Sequence, residues 1–200
     1  MENLEKILSL GLAYILPTYV EDLGNVTRVA TIKGNEIIEK RTIRSVLGRI
    51  ASYYGIDIQA QREKYGKIIG RKNIVPIPLT VNLILVPFKV RKPIISWDGS
   101  LGYLSYNQIQ QVKKGDNNRE SIIILKCGKE IKCFNKMITS KRHITDAKIV
   151  YKAYTNLYEA KEKQDTILNE IQETYAKPAT RADIAILAKE IIDLKEKLNV

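Results

Sequence analysis

The sequence predicts an α+β fold: mostly antiparallel sheet, with one short basic helix in the N-terminal half and a helical extension at the C-terminus. Three observations predict it. Between residues 14 and 134, β-branched and apolar residues come in short runs broken at regular intervals by glycine turn signals. One stripe at three- and four-residue spacing interrupts them, at Ile43, Val46, Leu47, Ile50 and Tyr54. From about Thr145 onward the spacing is helical. With 200 residues and 44 % apolar content the chain accommodates a core, dividing into a basic α+β domain over 1–150 and a helical tail over 151–200.

The elements follow in order. Tyr14–Leu16, ending at Pro17, reads as a strand, and Asn25–Ile32 with Glu36–Glu39 reads as a hairpin around Lys33, Gly34 and Asn35. Thr42 caps the helix that follows and Gly55 stops it. The side of this helix away from the apolar stripe carries Arg41, Ser45, Gly48 and Ser52, flanked by Arg44 and Arg49, so small residues admit close approach while arginines grip. Gln61–Asn73 reads as a basic loop in which Gly66 and Gly70 permit tight turns or close approach to phosphate.

Pro76 and Pro78 lead into a buried strand over Leu79–Val86 that ends at Pro87, and a second basic knot of Lys89, Arg91 and Lys92 lies beyond it. Extended segments continue at Ile94–Trp97, with a turn at Asp98 and Gly99, and at Gly102–Tyr106. After a polar loop over Gly115–Arg119, Ser121–Cys127 and Glu130–Phe134 form a hairpin around Gly128.

In the tail, Val150, Tyr154, Leu157, Leu168, Ile171 and Tyr175 share a helical stripe that Lys161 and Gln164 interrupt. Pro178 opens a last helix, with Thr180 and Asp183 placed as a capping pair. There Ile184, Leu187, Ile191, Leu194 and Leu198 repeat at heptad-like spacing, a seam that either folds back on the preceding helix or joins a second copy.

Charge is the strongest functional signal. Lys40 to Lys92 holds twelve cations against Asp57 and Glu63, a net of +10 within a chain of net +11. Such a surface repels itself unless a polyanion or an anionic membrane neutralises it. The candidate binding cations are Arg41, Arg44, Arg49, Arg62, Lys64, Lys67, Arg71, Lys72, Lys89, Arg91 and Lys92. Trp97, Tyr103 and Tyr106 lie near the basic knots, where their rings either stack on single-stranded bases or sit half-buried in the sheet. A third option is a membrane-surface or scaffold module, with residues 94–155 shaped like a pleckstrin-homology sheet and helix.

Enzymatic chemistry has little to stand on. Cys127, Cys133 and His143 lack the paired spacing of a structural zinc site, and both cysteines fall in an alternating hairpin where the residue usually packs. No phosphate-binding loop, dinucleotide fingerprint or nucleophile elbow occurs. The chain reads as a non-enzyme without metal or cofactor. No apolar stretch is long enough to span a membrane, and Met1–Pro17 lacks the pattern of a cleaved leader, so a cytoplasmic location is expected.

The run RIASYYG from Arg49 to Gly55, then Arg62, then Val75-Pro76-Ile77, then the apolar strand ending at Val86 and Pro87, then Tyr103-Leu104-Ser105 with Ile109, resembles in order and spacing the ComK family of competence transcription factors. The resemblance covers about residues 12–158 and leaves the tail without a counterpart. Gln61 stands where the family has glycine before its arginine, Phe88 follows Pro87 where the family has threonine, and Tyr103 stands at its tryptophan position. The resemblance implies a nucleoid-associated activator of DNA-uptake genes that binds AT-rich duplex DNA through the minor groove as a homo-oligomer. It also brings in a proteolytic adaptor as a partner.

Overall fold

Nine strands in two antiparallel sheets and five α-helices make up the described residues, 2–176, 178 and 180–197 of a computed structural model, with side chains described for 4–160, 166–168, 178 and 180–197. The chain divides into two units, Met1–Asn156 and Leu157–Val200. Helix α1 (Glu2–Ser9) precedes strands β1 (Leu12–Val20), β2 (Gly24–Thr31) and β3 (Glu36–Glu39). Helices α2 (Ile43–Tyr53) and α3 (Ile58–Ile69) come next, followed by β4 (Ile77–Thr80), β5 (Leu83–Lys89) and β6 (Leu101–Ser105). Strands β7 (Ile109–Lys114), β8 (Ser121–Leu125) and β9 (Glu130–Cys133) then lead to α4 (Met137–Ala176) and α5 (Arg181–Lys197).

The first sheet has the order β3-β2-β1-β6-β5-β4 and the second β7-β8-β9. Side-chain alternation sorts the first sheet's residues onto two buried faces. Leu12, Ile15, Val29, Leu85 and Tyr103 meet α1 through Leu4 and Ile7, and α2 through Val46, Leu47 and Ile50. The opposite face, with Tyr14, Ala30, Val86, Phe88 and Leu104, packs on Ile123, Leu125, Ile131 and Cys133 of the second sheet and on Ala147 of α4. Removing any one of these large buried side chains to alanine costs about 2–5 kcal/mol.

The α+β class, the antiparallel sheet and the basic helix α2 are as the sequence predicts, and the N-terminal half adds α1 and α3. The basic loop expected over Gln61–Asn73 is mostly helix. Asp57 caps α3 by accepting from the amides of Gln59 and Ala60 at 2.7 and 3.0 Å, and Gly70 ends it in the left-handed conformation at φ 66°. Gly66 lies inside the helix, where a Cβ would stand 2.5 Å from the Arg71 carbonyl.

Two prolines read as strand ends lie within strands. β1 runs through Pro17 to Val20, and its pairing with β6 covers only Tyr14 and Ile15, so the missing amide faces no partner. β5 runs through Pro87 after its pairing with β4 has stopped at Leu85. The single strand expected over Leu79–Val86 is a hairpin turning at Val81 and Asn82. Ile94–Trp97 forms a bend and a tight turn instead of a strand, and β7 adds a strand at Ile109–Lys114. Since β6 belongs to the large sheet, residues 94–155 do not make a self-contained pleckstrin-like sheet.

Helix α4 starts at Met137, ahead of the expected Thr145, and α5 begins at Arg181, past Pro178. The Thr180 and Asp183 cap is present: Thr180 donates its amide and hydroxyl to Asp183 at 2.8 and 2.7 Å. Leu198 and the side chains of Ile171 and Tyr175 lie outside the described residues. No helix of the described residues is long and apolar enough to cross a membrane.

Candidate nucleic-acid interface

Helix α2 buries Ile43, Val46, Leu47, Ile50 and Ala51, which leaves Arg44, Ser45 and Gly48 on the side turned away from the sheet. Helix α3 buries Tyr65 and Gly66 and turns Arg62 back toward β6. Between the two helices, the end of β6 and the residues just before it lies a cleft of about 630 Å³ lined by Arg44, Gly48, Gln59, Arg62, Ser100 and Tyr103. A Cβ at Gly48 would meet nothing within 4 Å, so the helix backbone is open to close approach there. A second depression of about 330 Å³ continues past Arg62 and Tyr103 to Lys72 and Asn73. Arg62 and Tyr103 belong to both.

The eleven candidate cations separate into groups. Arg44, Arg62 and Lys72 line this double cleft, and among the described residues none of them pairs with a carboxylate. Lys64 and Lys67 are exposed on the outer side of α3, and Lys89 and Lys92 are exposed near the end of β9, with Lys92 5.7 Å from the Phe134 ring centroid. Arg41 and Arg49 share the Glu39 carboxylate, each at 3.4 Å. Arg71 is an ion-pair partner of the largely buried Asp146, with Nε 2.7 Å from Oδ2. Arg91 is buried, donating to the Gly99 carbonyl and the Asn25 side chain at 2.8 Å each and lying over the Tyr19 ring. Arg71 and Arg91 therefore serve packing first.

Of the aromatic candidates, Tyr103 is 6 % exposed and has no free ring face for a base. Burial also pushes its hydroxyl above the ordinary tyrosine range, against the lowering effect of Arg62. Tyr106 is half-buried beside Tyr151. Trp97 is 94 % exposed, on the loop whose Asp98, Gly99 and Ser100 form one wall of the cleft.

The remaining titratable groups are structural. Burial pushes the Cys133 thiol up to about 12, which leaves no thiolate at neutral pH. His143 is buried against Phe88, and burial lowers its pKa, with Asp146 opposing and Arg71 and Arg142 reinforcing. Among the described residues no group of three or more histidine, cysteine or carboxylate side chains is placed to hold a metal ion.

Ile184, Leu187, Ile191 and Leu194 on α5 are each half or more exposed, so nothing among the described residues covers that seam. No protein-family model matches the chain, and no curated protein or solved structure matches it significantly.

Proposed function

We propose that this chain is a DNA-binding transcriptional regulator of the competence type, acting on the nucleoid in the cytoplasm and gripping AT-rich duplex DNA through the α2–α3 cleft. One observation carries the DNA reading: Arg44, Arg62 and Lys72, from three separate parts of the chain, line one connected concavity beside the open backbone of Gly48 and have no carboxylate partner among the described residues. A polynucleotide strand supplies repeated phosphates to cations so spaced, and counter-ion release then drives binding. The competence assignment and the preference for a narrow AT-rich minor groove rest on the ordered sequence resemblance to ComK. They agree with the physics of arginine drawn to enhanced negative potential.

Fluorescence anisotropy of labelled AT-rich and scrambled duplexes over a salt series tests the proposal. Affinity falls steeply with salt, and the AT-rich duplex binds more tightly at every salt concentration. Equal affinity for both duplexes removes the sequence-selective regulator, and displacement by single strands at lower concentration than by duplex favours an RNA or single-strand role.

A further inference from the structure

The loop from Arg91 to Ser100 holds bare apolar side chains away from the core on a fixed base. Ile94, Ile95 and Trp97 are 77 %, 59 % and 94 % exposed. The loop under them is pinned: the Tyr19 hydroxyl accepts from the Ile94 amide at 2.9 Å and donates to Asp98 at 2.5 Å, and Asn25 donates to the same carboxylate at 2.7 Å. Arg91 donates to Asn25 and to the Gly99 carbonyl, the Val90 amide donates to the Ser100 carbonyl, and the Asp98 amide closes a tight turn on the Ile95 carbonyl. Trp97 lies inside that turn. A loop with freedom to move would fold such side chains inward, since burying them is favourable; here charged and hydroxyl groups at the base hold them out.

We propose that the Ile95–Trp97 turn is a wedge that inserts between base pairs of the duplex held in the neighbouring cleft, an inference that rests on the DNA reading above. Occupants of this surface must offer negative charge to Arg44 and Arg62 and an apolar interior to Trp97, because Asp98, Gly99 and Ser100 join the loop to the cleft wall. Stacked bases flanked by phosphates combine the two, and apolar wedges at flexible pyrimidine–purine steps are a known way to bend DNA at low cost. An anionic bilayer also combines them. It is flat, however, and does not follow Arg62 into a concave cleft as a sugar-phosphate strand does.

Trp97 is the chain's single tryptophan, so its emission reports on this turn alone. Three signals are followed in one titration of the full chain: anisotropy of an AT-rich duplex carrying central TA steps, fluorescence of 2-aminopurine placed at those steps, and tryptophan emission. Saturation quenches Trp97 and raises 2-aminopurine emission at one step. Trp97→Ala abolishes the 2-aminopurine rise and reduces the preference for TA-containing over scrambled duplex about tenfold, while the salt dependence stays. Its melting temperature is unchanged because the ring lies in solvent.

If anisotropy reports tight binding while Trp97 and 2-aminopurine emission stay constant, the wedge falls and the DNA reading stands. If no duplex binds even at low salt, both fall. A blue shift of Trp97 with phosphatidylglycerol vesicles and none with duplex overturns the wedge in favour of a membrane-inserting loop.

Discussion

Arg62 on α3 donates through Nη2 to the Tyr103 hydroxyl on β6 at 3.0 Å. The hydrogen bond fixes the guanidinium at the junction of the two depressions, and among the described residues its other donors have no side-chain or carbonyl partner, which leaves them to a ligand. Tyr103→Phe removes the acceptor and keeps the ring, so stability changes by about 1 kcal/mol while DNA affinity drops several-fold. Arg62→Ala weakens binding further and reduces the salt slope by about one. Thermal melts and anisotropy on the same samples separate the two effects, and equal affinity for all three proteins would remove Arg62 from the interface.

Arg44 and Arg71 both belong to the basic segment but stand in different settings, Arg44 exposed on α2 and Arg71 paired with Asp146. Arg71→Ala strands the Asp146 carboxylate in a largely buried site and lowers stability by about 3 kcal/mol. Arg44→Ala leaves the melting temperature within about 1 °C, since surface changes cost little, and weakens DNA binding. Denaturant unfolding of both variants decides the matter: equal midpoints would mean that Arg71 is not a structural cation.

Gly48 is the position where stability and binding pull apart. Alanine in the middle of α2 gains about 1 kcal/mol of helix propensity, and nothing stands within 4 Å of the added methyl group. The same methyl group occupies the open side of the cleft. Gly48→Ala therefore melts higher than the parent and binds AT-rich duplex more weakly. A variant that melts higher and binds as well as the parent would show that nothing approaches the helix at this point.

Helix α2 was legible because five buried positions mark its inner side at regular spacing. Helix α3 was not, because only Tyr65 and Gly66 among its residues are buried, too few to set a period, although Asp57 and Gly70 stood ready as its start and stop. Pro17 and Pro87 misled for a related reason. A proline ends a strand only if a neighbour needs its amide, and where a neighbouring strand stops is a property of the assembled sheet. The cleft was equally hidden, since Arg62 and Tyr103 lie 41 residues apart. Local charge density drew attention to the segment but did not distinguish Arg44, which pairs with no carboxylate among the described residues, from Arg91, enclosed by Asn25, Tyr19 and Gly99. The hairpin at Glu36–Glu39 and the cap at Thr180, by contrast, depend on residues within a few positions of each other and were read directly.

His143 makes the fold sensitive to mild acid. Its pKa is lowered in the folded state by burial, and by Arg71 and Arg142, with Asp146 opposing, so the unfolded chain binds the proton more readily. Stability is then complete above the unfolded value of about 6.5 and is lost as pH falls below it through the lower folded value. Melting temperature declines over that window, and His143→Gln flattens the decline. A parent protein whose melting temperature holds constant from neutrality down through this window would show that His143 is not held neutral by the core.

The seam on α5 links the tail to the proposed binding mode. Ile184, Leu187, Ile191 and Leu194 recur at the spacing of a coiled-coil interface, and each is half or more exposed. Two heptads form a weak interface alone, but two basic domains bound to adjacent sites on one DNA would each raise the effective concentration of the other. Leu187→Asp with Leu194→Asp therefore leaves the affinity for a single half-site unchanged and lowers the affinity for a paired site by a factor of about 100. Sedimentation velocity gives the companion result, a mass that falls to that of the monomer in the double variant. Truncation after Tyr175 gives the same monomer if α5 carries the association. A truncated chain with the mass and paired-site affinity of the parent would move self-association to another surface.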